Sequence, residues 1–170
     1  MTRDRDAAGR PRNARPRDGL GRPLEAGQGA GEERIPDDLV LAGPDAAALA
    51  DQLLRAGRPF HAHEVLEASW KFGPAAERDL WQGLAQIAVG LTHAHRGNAR
   101  GAVALLGRGA HRVRAYQAQA VRPGGRDHPY GIDLAAFLAA TDALAARIEA
   151  DGLAGIPAAD LRPGLITAGR

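Results

Sequence analysis

The sequence of 170 residues contains no cysteine, and this absence excludes disulfide bonds, thiolate catalysis and metal sites built on thiolates. No apolar run approaches the ~20 residues that a membrane-spanning helix needs, and the N-terminus has no apolar segment of the kind found in signal peptides. These absences predict a cytoplasmic protein without a membrane partner.

Lysine is almost absent as well. Lys71 is the only lysine among 22 Lys and Arg residues, and alanine and glycine are abundant. This composition indicates the coding bias of a high-GC genome. A high arginine content is therefore weak evidence for function in this chain.

Composition divides the chain into three regions. Residues 1–42 mix Arg, Asp, Gly and Pro with few sizeable apolar side chains, and such a segment cannot bury enough surface to offset its loss of conformational entropy. We predict a disordered N-terminal arm over residues 1–42, a helical domain over residues 43–152 and an irregular C-terminal tail over residues 153–170. A passive arm is the simpler interpretation, and a tether for nucleic acid is the alternative.

Helix start and stop signals predict an all-α domain of about five helices. Short connections make sequence neighbours antiparallel, so we expect a compact bundle-like arrangement around a buried central helix. Asn98 and Asp133 are the expected N-caps of the last two helices, and Gly57 is expected just beyond the end of the first. The predicted segments are 43–57, which Gly57 closes, 59–73, 75–96, 99–119 and 133–150, which Asp133 caps.

The third helix is the predicted centre of the domain. Between Trp81 and Ala94 only His93 can carry a charge, and apolar residues recur at helical spacing, which is typical of a helix buried on most sides. One face carries a polar row of Gln82, Gln86 and His93. Polar side chains on a buried helix need hydrogen-bond partners.

Small residues predict a close approach of the third and fourth helices. Gly83 and Gly90 leave one face of the third helix small enough for another backbone to come near. The fourth helix contains Gly101, Gly107 and Gly109, each of which costs roughly 1 kcal/mol relative to alanine. This cost is expected if the fourth helix packs closely or frays near Gly107.

Two motifs and a turn resemble a known family. FHAHEVLEASW at residues 60–70 precedes WQGLAQIAVGLTHAHRGNARGAVALL at residues 81–106. This order resembles domain-of-unknown-function family 309, with its AHE-x-LE-x-x-W helix, QGL-x-Q helix, histidine and RGN-x-x-GA turn. The resemblance covers about residues 60–116 and implies a small all-helical fold with no established activity. The chain departs from the pattern at Ala85, usually a larger aliphatic residue, and in its long N-terminal arm. The matching positions are Ala62, His63, Glu64, Leu66, Glu67, Trp70, Gln82, Gly83, Leu84, Gln86, His93, Arg96, Gly97, Asn98, Gly101 and Ala102.

The candidate catalytic residues lie on one face of the second helix. His63, Glu67 and Trp70 are spaced i, i+4 and i+7, with Glu64 beside them, so a histidine and two carboxylates share a face. This arrangement is suited to proton transfer or to metal binding. Because HE-x-x-E lacks the second histidine of the zinc-protease motif, His63 and Glu67 are weak candidates for metal ligands, and we predict no metal and no cofactor.

A polar cleft is predicted between the second and third helices. Antiparallel packing across the short loop places Glu67 at the level of Gln82, and Glu64 at the level of Gln86. The cleft is either a structural hydrogen-bond network or a site in which a desolvated carboxylate beside a histidine shifts its pKa. The further residues assigned to this cleft are Gln82, Gln86, His93 and Trp70.

A basic segment offers a different class of function. Residues 96–126 carry seven arginines and no acidic residue. Arg96, Asn98 and Arg100 stand at the predicted start of the fourth helix, whose free amides favour an anion. The arginines do not line one helix face, however, and we expect that nucleic acid is not the partner.

These observations predict a structural or ligand-binding domain of unassigned activity. A hydrolase-like or divalent-metal-dependent enzyme using His63, Glu64 and Glu67 is the first alternative, and RNA or phosphate binding through residues 96–126 is the second. The sequence names no partner and is compatible with a homo-oligomer.

Overall fold

The computed structural model describes residue 18 and residues 21–22, 35–36, 39–120 and 128–166. Within these ranges the chain is all-α, as predicted, and none of the described helices is both long and apolar enough to cross a bilayer. Most of the predicted N-terminal arm lies outside the described residues. The helices are α1 (Gly43–Arg55), α2 (Pro59–Phe72), α3 (Arg78–His95), α4 (Ala99–Ala120) and α5 (Leu134–Asp151).

The predicted helix ends are close to the observed ones, apart from the start of α3. Residues Ala75–Glu77 form a separate turn of 3-10 helix, because Pro74 and Glu77 have non-helical backbone angles. The predicted caps are confirmed. The Asp133 side chain accepts a hydrogen bond from Ala136 N at 2.9 Å, and Gly57 has the positive φ of 73° typical of a residue just beyond a helix.

Helix α3 lies at the centre of the domain, packed against α2 on one side and α4 on the other, and its interface with α4 is the largest between helices. Trp81 is only 1% exposed and belongs to the core. A Cβ atom added to Gly109 would lie 2.6 Å from the carbonyl oxygen of Gly83, so the backbones of α3 and α4 touch. Nothing lies within 4 Å of the same position at Gly107. The close approach is therefore confirmed for Gly83 and Gly109, whereas Gly107 does not take part in it.

The C-terminal tail returns to α1 and is bound there through hydrogen bonds of its backbone. Asp51 Oδ1 accepts hydrogen bonds from Leu165 N at 2.6 Å and from Ile166 N at 3.0 Å, and Arg55 donates to the Ile166 carbonyl at 2.6 Å. Ile166 also forms an isolated antiparallel bridge with Ile132. The Leu165 side chain is 1% exposed, so this part of the tail completes the core.

Tyr130 holds the segment before α5 against the start of α3. Its backbone has φ 58°, an uncommon value for a residue with a side chain. Its ring stacks on Trp81 at 5.4 Å between centroids, and its hydroxyl donates to Glu77 at 2.5 Å. Trp81 Nε1 donates to the other oxygen of Glu77 at 2.9 Å. A single carboxylate thus joins two aromatic side chains from separate elements.

The described positions before α1 contact the domain. Gly21 is buried, and a Cβ atom there would lie 2.3 Å from the Phe60 ring. Ile35 and Leu41 pack against the core. The described residues before α1 therefore pack against the domain at these positions, and the prediction of a disordered arm over residues 1–42 stays a prediction.

Candidate functional site

The outer face of α2 carries the charged part of its motif. The helix buries an apolar stripe that includes Ala62, Val65 and Leu66, and this fixes its rotation about its own axis. Glu64 and Glu67 consequently point away from the core and are about half-buried. We call this face, with its neighbouring pocket, the α2 pocket.

The α2 pocket is open and has a volume of about 270 Å³. Its lining contains two carboxylates, one ammonium group and several apolar side chains. Two of the lining residues come from the segment before α1. One of its apolar groups, Phe72, is 64% exposed at the end of α2. The lining residues are Ile35, Pro36, Glu64, Glu67, Ala68, Lys71 and Phe72.

Glu67 lies between two residues of its own helix, the cationic Lys71 and His63, which is cationic only when protonated. Lys71 Nζ lies 2.9 Å from one carboxylate oxygen, and His63 Nε2 lies 3.6 Å from the other. The second ring nitrogen of His63, Nδ1, is buried and has no hydrogen-bond partner among the described residues. Burial lowers the pKa of His63, Glu67 opposes this effect, and Lys71 adds to it. The ring is therefore neutral near pH 7.

His63 and His95 together predict a loss of stability on acidification. Burial also lowers the pKa of His95, although its hydrogen bond to the Leu161 carbonyl raises it in part. Because both pKa values lie below those of the unfolded chain, the unfolded state binds more protons as the pH falls through 6.5. We expect a lower free energy of unfolding at pH 5.5 than at pH 7.5, measured by urea denaturation.

The double variant His63→Gln/His95→Gln provides the comparison for this pH dependence. Its free energy of unfolding is expected to fall less between the same two pH values, because two groups that take up protons on unfolding are removed. An unchanged or steeper fall in the double variant would contradict this origin.

The polar row of α3 does not meet the carboxylates of α2, and the predicted pairing of Glu67 with Gln82 is wrong. Gln82 Oε1 accepts a hydrogen bond at 2.8 Å from Arg112 of α4, which also contacts Asp79 at 2.9 Å. The predicted register fixed only the level of each residue along the helix axis. The rotation of α3 is set instead by its close contact with α4, which turns Gln82 toward Arg112. Gln86 lies half-buried on the same row.

His93 also lies outside the predicted cleft. Its Nδ1 is 2.8 Å from Asn98 Nδ2, and Asn98 Oδ1 accepts from Gly101 N at 2.9 Å. Since the Asn98 oxygen is occupied by an amide donor, its nitrogen faces His93, which must then carry its proton on Nε2. Gly97, with φ 78°, completes the turn. The H…RGN-x-x-G part of the motif is therefore a helix-to-helix corner.

The proposed anion site at the start of α4 shares this corner. Asn98 is the N-cap of α4, as predicted, and its side-chain oxygen accepts a hydrogen bond from one of the free amides of the helix. Arg96 and Arg100 are exposed on either side. Further along α4, Arg112 pairs with Asp79 and Arg114 with Asp142. Two described arginines of the basic segment thus serve ion pairs within the domain.

The candidate catalytic and metal-binding residues do not form a larger cluster. Among the described residues there is no group of three His, Cys, Asp or Glu side chains able to hold a metal ion. His63 and Glu67 meet as a pair, while Trp70 packs in part against the core. The arrangement supports charge pairing at the edge of a pocket.

Sequence reasoning missed three residues that shape this surface. Lys71 and Phe72 lie at the end of α2. In the sequence they could have been noticed only as a single lysine and an aromatic residue that precede Gly73-Pro74. Ile35 lies in the region interpreted as a disordered arm. An isolated isoleucine in a polar segment is a weak signal, although it was available.

Comparisons with known proteins agree with the motif-based resemblance. Residues 48–105 match a family model described as "Domain of unknown function (DUF309)", which confirms the resemblance over that part of the chain. The "Uncharacterized protein YpuF" of Bacillus subtilis (strain 168) is 42% identical over 72 residues, which cover 41% of this chain and 40% of that protein. The chain therefore matches less than half the length of this relative. No solved structure gives a significant match.

Proposed function

We propose, from the family match over residues 48–105 and the geometry of α2, that the chain contains a binding domain whose binding surface is the α2 pocket. The observation that carries this proposal is the exposed ring of Phe72 in a pocket that Glu64 and Glu67 also line. An exposed aromatic side chain at the rim of a pocket loses unfavourable contact with water when a ligand covers it. The ligand would place an apolar group on Phe72 and a cationic group toward Glu67, which is nearer to Phe72 along α2 than Glu64 is.

The motif then divides into two parts with different tasks. The corner of His93, Asn98 and Gly101 orients α3 against α4, and it presents no exposed apolar group. The charged face of α2 is half-buried and lines the pocket. Binding is favoured over catalysis because the ion pair of Glu67 with Lys71 satisfies that carboxylate, whereas a general base needs access to the proton that it removes.

A titration with phenethylammonium, which combines one aromatic ring with one cation, tests this function. We expect progressive shifts of the backbone amide signals of residues 64–72 in ¹H–¹⁵N spectra. Truncation of Phe72 to alanine should abolish most of these shifts, because the apolar contact is lost. The free energy of unfolding should change little, since the Phe72 side chain is already largely exposed.

The matched control is Val40→Ala. Val40 is 62% exposed, close to the value for Phe72, but it does not line the pocket. The Val40→Ala variant should therefore show the same amide shifts as the wild-type chain. Shifts spread over the whole surface, or equal shifts in the Phe72→Ala and wild-type chains, would show that the α2 pocket is not a binding site.

A further inference from the structure

We infer that the outer face of α4 is a docking surface for an acidic helix of a partner protein. This face lies away from the interface of α4 with α3. Its residues are all exposed, and they are Arg100, Ala104, Gly107, Arg108 and His111. The surface is separate from the α2 pocket, so the inference does not depend on the proposed function.

The outer face is continuous along the helix. Arg100, Ala104, Gly107 and His111 are spaced i, i+4, i+7 and i+11, so they follow one another along one side of α4. Ala104 has a short side chain and Gly107 has none. The middle of the face is therefore low, and longer side chains lie at both of its ends.

The charge of α4 has one sign. Residues 99–120 contain four arginines and no acidic residue, although the whole chain contains 20 Asp and Glu residues. Arginine is common in this chain, so the number of arginines alone is weak support for a function. The informative feature is that the helix has no carboxylates of its own to neutralise them.

Two arginines of α4 differ from the others in their contacts. Carboxylates of α3 and α5 neutralise Arg112 and Arg114. Arg100 and Arg108 form no ion pair with any residue that the structure describes, although Arg108 Nε donates a hydrogen bond to the Ala104 carbonyl at 3.2 Å. Because a carboxylate can accept two hydrogen bonds from one guanidinium group, Asp or Glu is the preferred partner of both residues.

Gly107 is a helical glycine that no described contact within the chain requires. A Cβ atom added to Gly109 would meet the backbone of α3, and one added to Gly101 would lie 2.6 Å from His93 Nδ1. Nothing lies within 4 Å of the same position at Gly107. Since glycine destabilises a helix relative to alanine, a partner backbone that packs closely on Gly107 would account for its missing side chain.

The geometry favours a helix over nucleic acid as the partner. Arg100 and Arg108 are eight residues apart, which at a rise of ~1.5 Å per residue separates them by about 12 Å along the axis. Two carboxylates seven positions apart on another helix match this spacing. Nucleic-acid affinity is built from many phosphate contacts, whereas this face has two arginines without an ion pair among the described residues.

Fluorescence anisotropy on the full chain at physiological salt tests the inference with three labelled probes. The first is an alanine-rich helical peptide of about 18 residues, with two glutamates seven positions apart on one face. In the second peptide glutamine replaces both glutamates, and the third probe is oligouridine. We expect saturable binding of the glutamate peptide and at least about tenfold weaker binding of the other two probes.

Arginine variants locate the surface. The double variant Arg100→Gln/Arg108→Gln should weaken binding of the glutamate peptide about tenfold, because each exposed ion pair contributes a factor of about two to five. The matched control is Arg147→Gln/Arg162→Gln, which removes the same number of exposed positive charges from α5 and the C-terminal tail. The control variant should bind the glutamate peptide with wild-type affinity.

Gly107→Ala separates binding from folding. The added methyl group should raise the urea concentration at the midpoint of unfolding, because alanine is the better helix former. The same methyl group should weaken binding of the glutamate peptide at least about fivefold, because it holds the partner backbone away from α4. A loss of affinity in a more stable domain cannot result from partial unfolding.

Several results would overturn the inference. These are the absence of saturable binding of the glutamate peptide, equal binding of the glutamine peptide, and wild-type affinity in Arg100→Gln/Arg108→Gln or in Gly107→Ala. Tighter binding of oligouridine than of the glutamate peptide would identify a nucleic-acid surface instead. If the chain self-associates in sedimentation equilibrium and the double variant Arg100→Gln/Arg108→Gln dissociates it, the occupant is a second copy of the chain.

Discussion

Replacement of Gly109 by alanine is expected to lower the free energy of unfolding by about 3 kcal/mol, because the added methyl group has no room between α3 and α4. Its Cβ atom would lie 2.6 Å from the Gly83 carbonyl oxygen and 2.9 Å from the backbone nitrogen of Ile87. Backbone atoms cannot turn aside as a flexible side chain can, so the two helices must separate along their largest interface. Urea denaturation of the variant measures the loss.

Gly107→Ala is the matched control for this experiment. Gly107 lies in the same helix, but it is exposed and has nothing within 4 Å of an added Cβ. Alanine should therefore stabilise the domain by up to about 1 kcal/mol through its higher helix propensity. If both variants were stabilised, the contact between the backbones of α3 and α4 would be looser than described.

Replacement of Asp51 by alanine is expected to lower the free energy of unfolding by about 2–4 kcal/mol. The change leaves the backbone amides of Leu165 and Ile166 without their acceptor, and an unsatisfied buried donor costs ~1–3 kcal/mol. Amide hydrogen exchange of residues 165 and 166 should accelerate together with the loss measured by denaturation.

Asp142→Ala is the control for the loss of a carboxylate. Asp142 forms an exposed ion pair with Arg114, and such pairs contribute only ~0–1 kcal/mol. A similar loss in both variants would mean that Asp51 acts as a surface charge and that the tail is not fixed by its backbone hydrogen bonds.

The helices and their caps were predictable because their signals are local. Gly57 and Asn98 act on backbone groups within a few residues, so their types and positions in the sequence are sufficient to identify them. The small face of α3 was predictable for a related reason. A glycine that is unfavourable in a helix indicates that something near it requires the space.

The hydrogen-bond partners of Glu67 and Gln82 were not predictable from local signals of this kind. Spacing placed Glu67 and Gln82 at one level, but the rotation of each helix depends on all its neighbours at once. Arg112, 30 residues beyond Gln82, provided the competing partner. The contacts of Asp51 with the tail and of Glu77 with Tyr130 have the same origin. They join residues 114 and 53 positions apart, and no pattern within a short window records them.

The corner between α3 and α4 also has a consequence for the order of folding. Its hydrogen bonds join His93, Asn98 and Gly101, so no loop longer than a few residues has to close before they form. The large interface that follows this corner consists of contacts between neighbours in sequence, and such low contact order is associated with rapid folding. The α3–α4 hairpin is accordingly the expected nucleus of the transition state, with high φ-values for substitutions along its interface. Residues 165–166 can bind α1 only after the intervening helices have packed, because this contact closes a long loop. Substitutions that remove this contact should therefore have φ-values near zero.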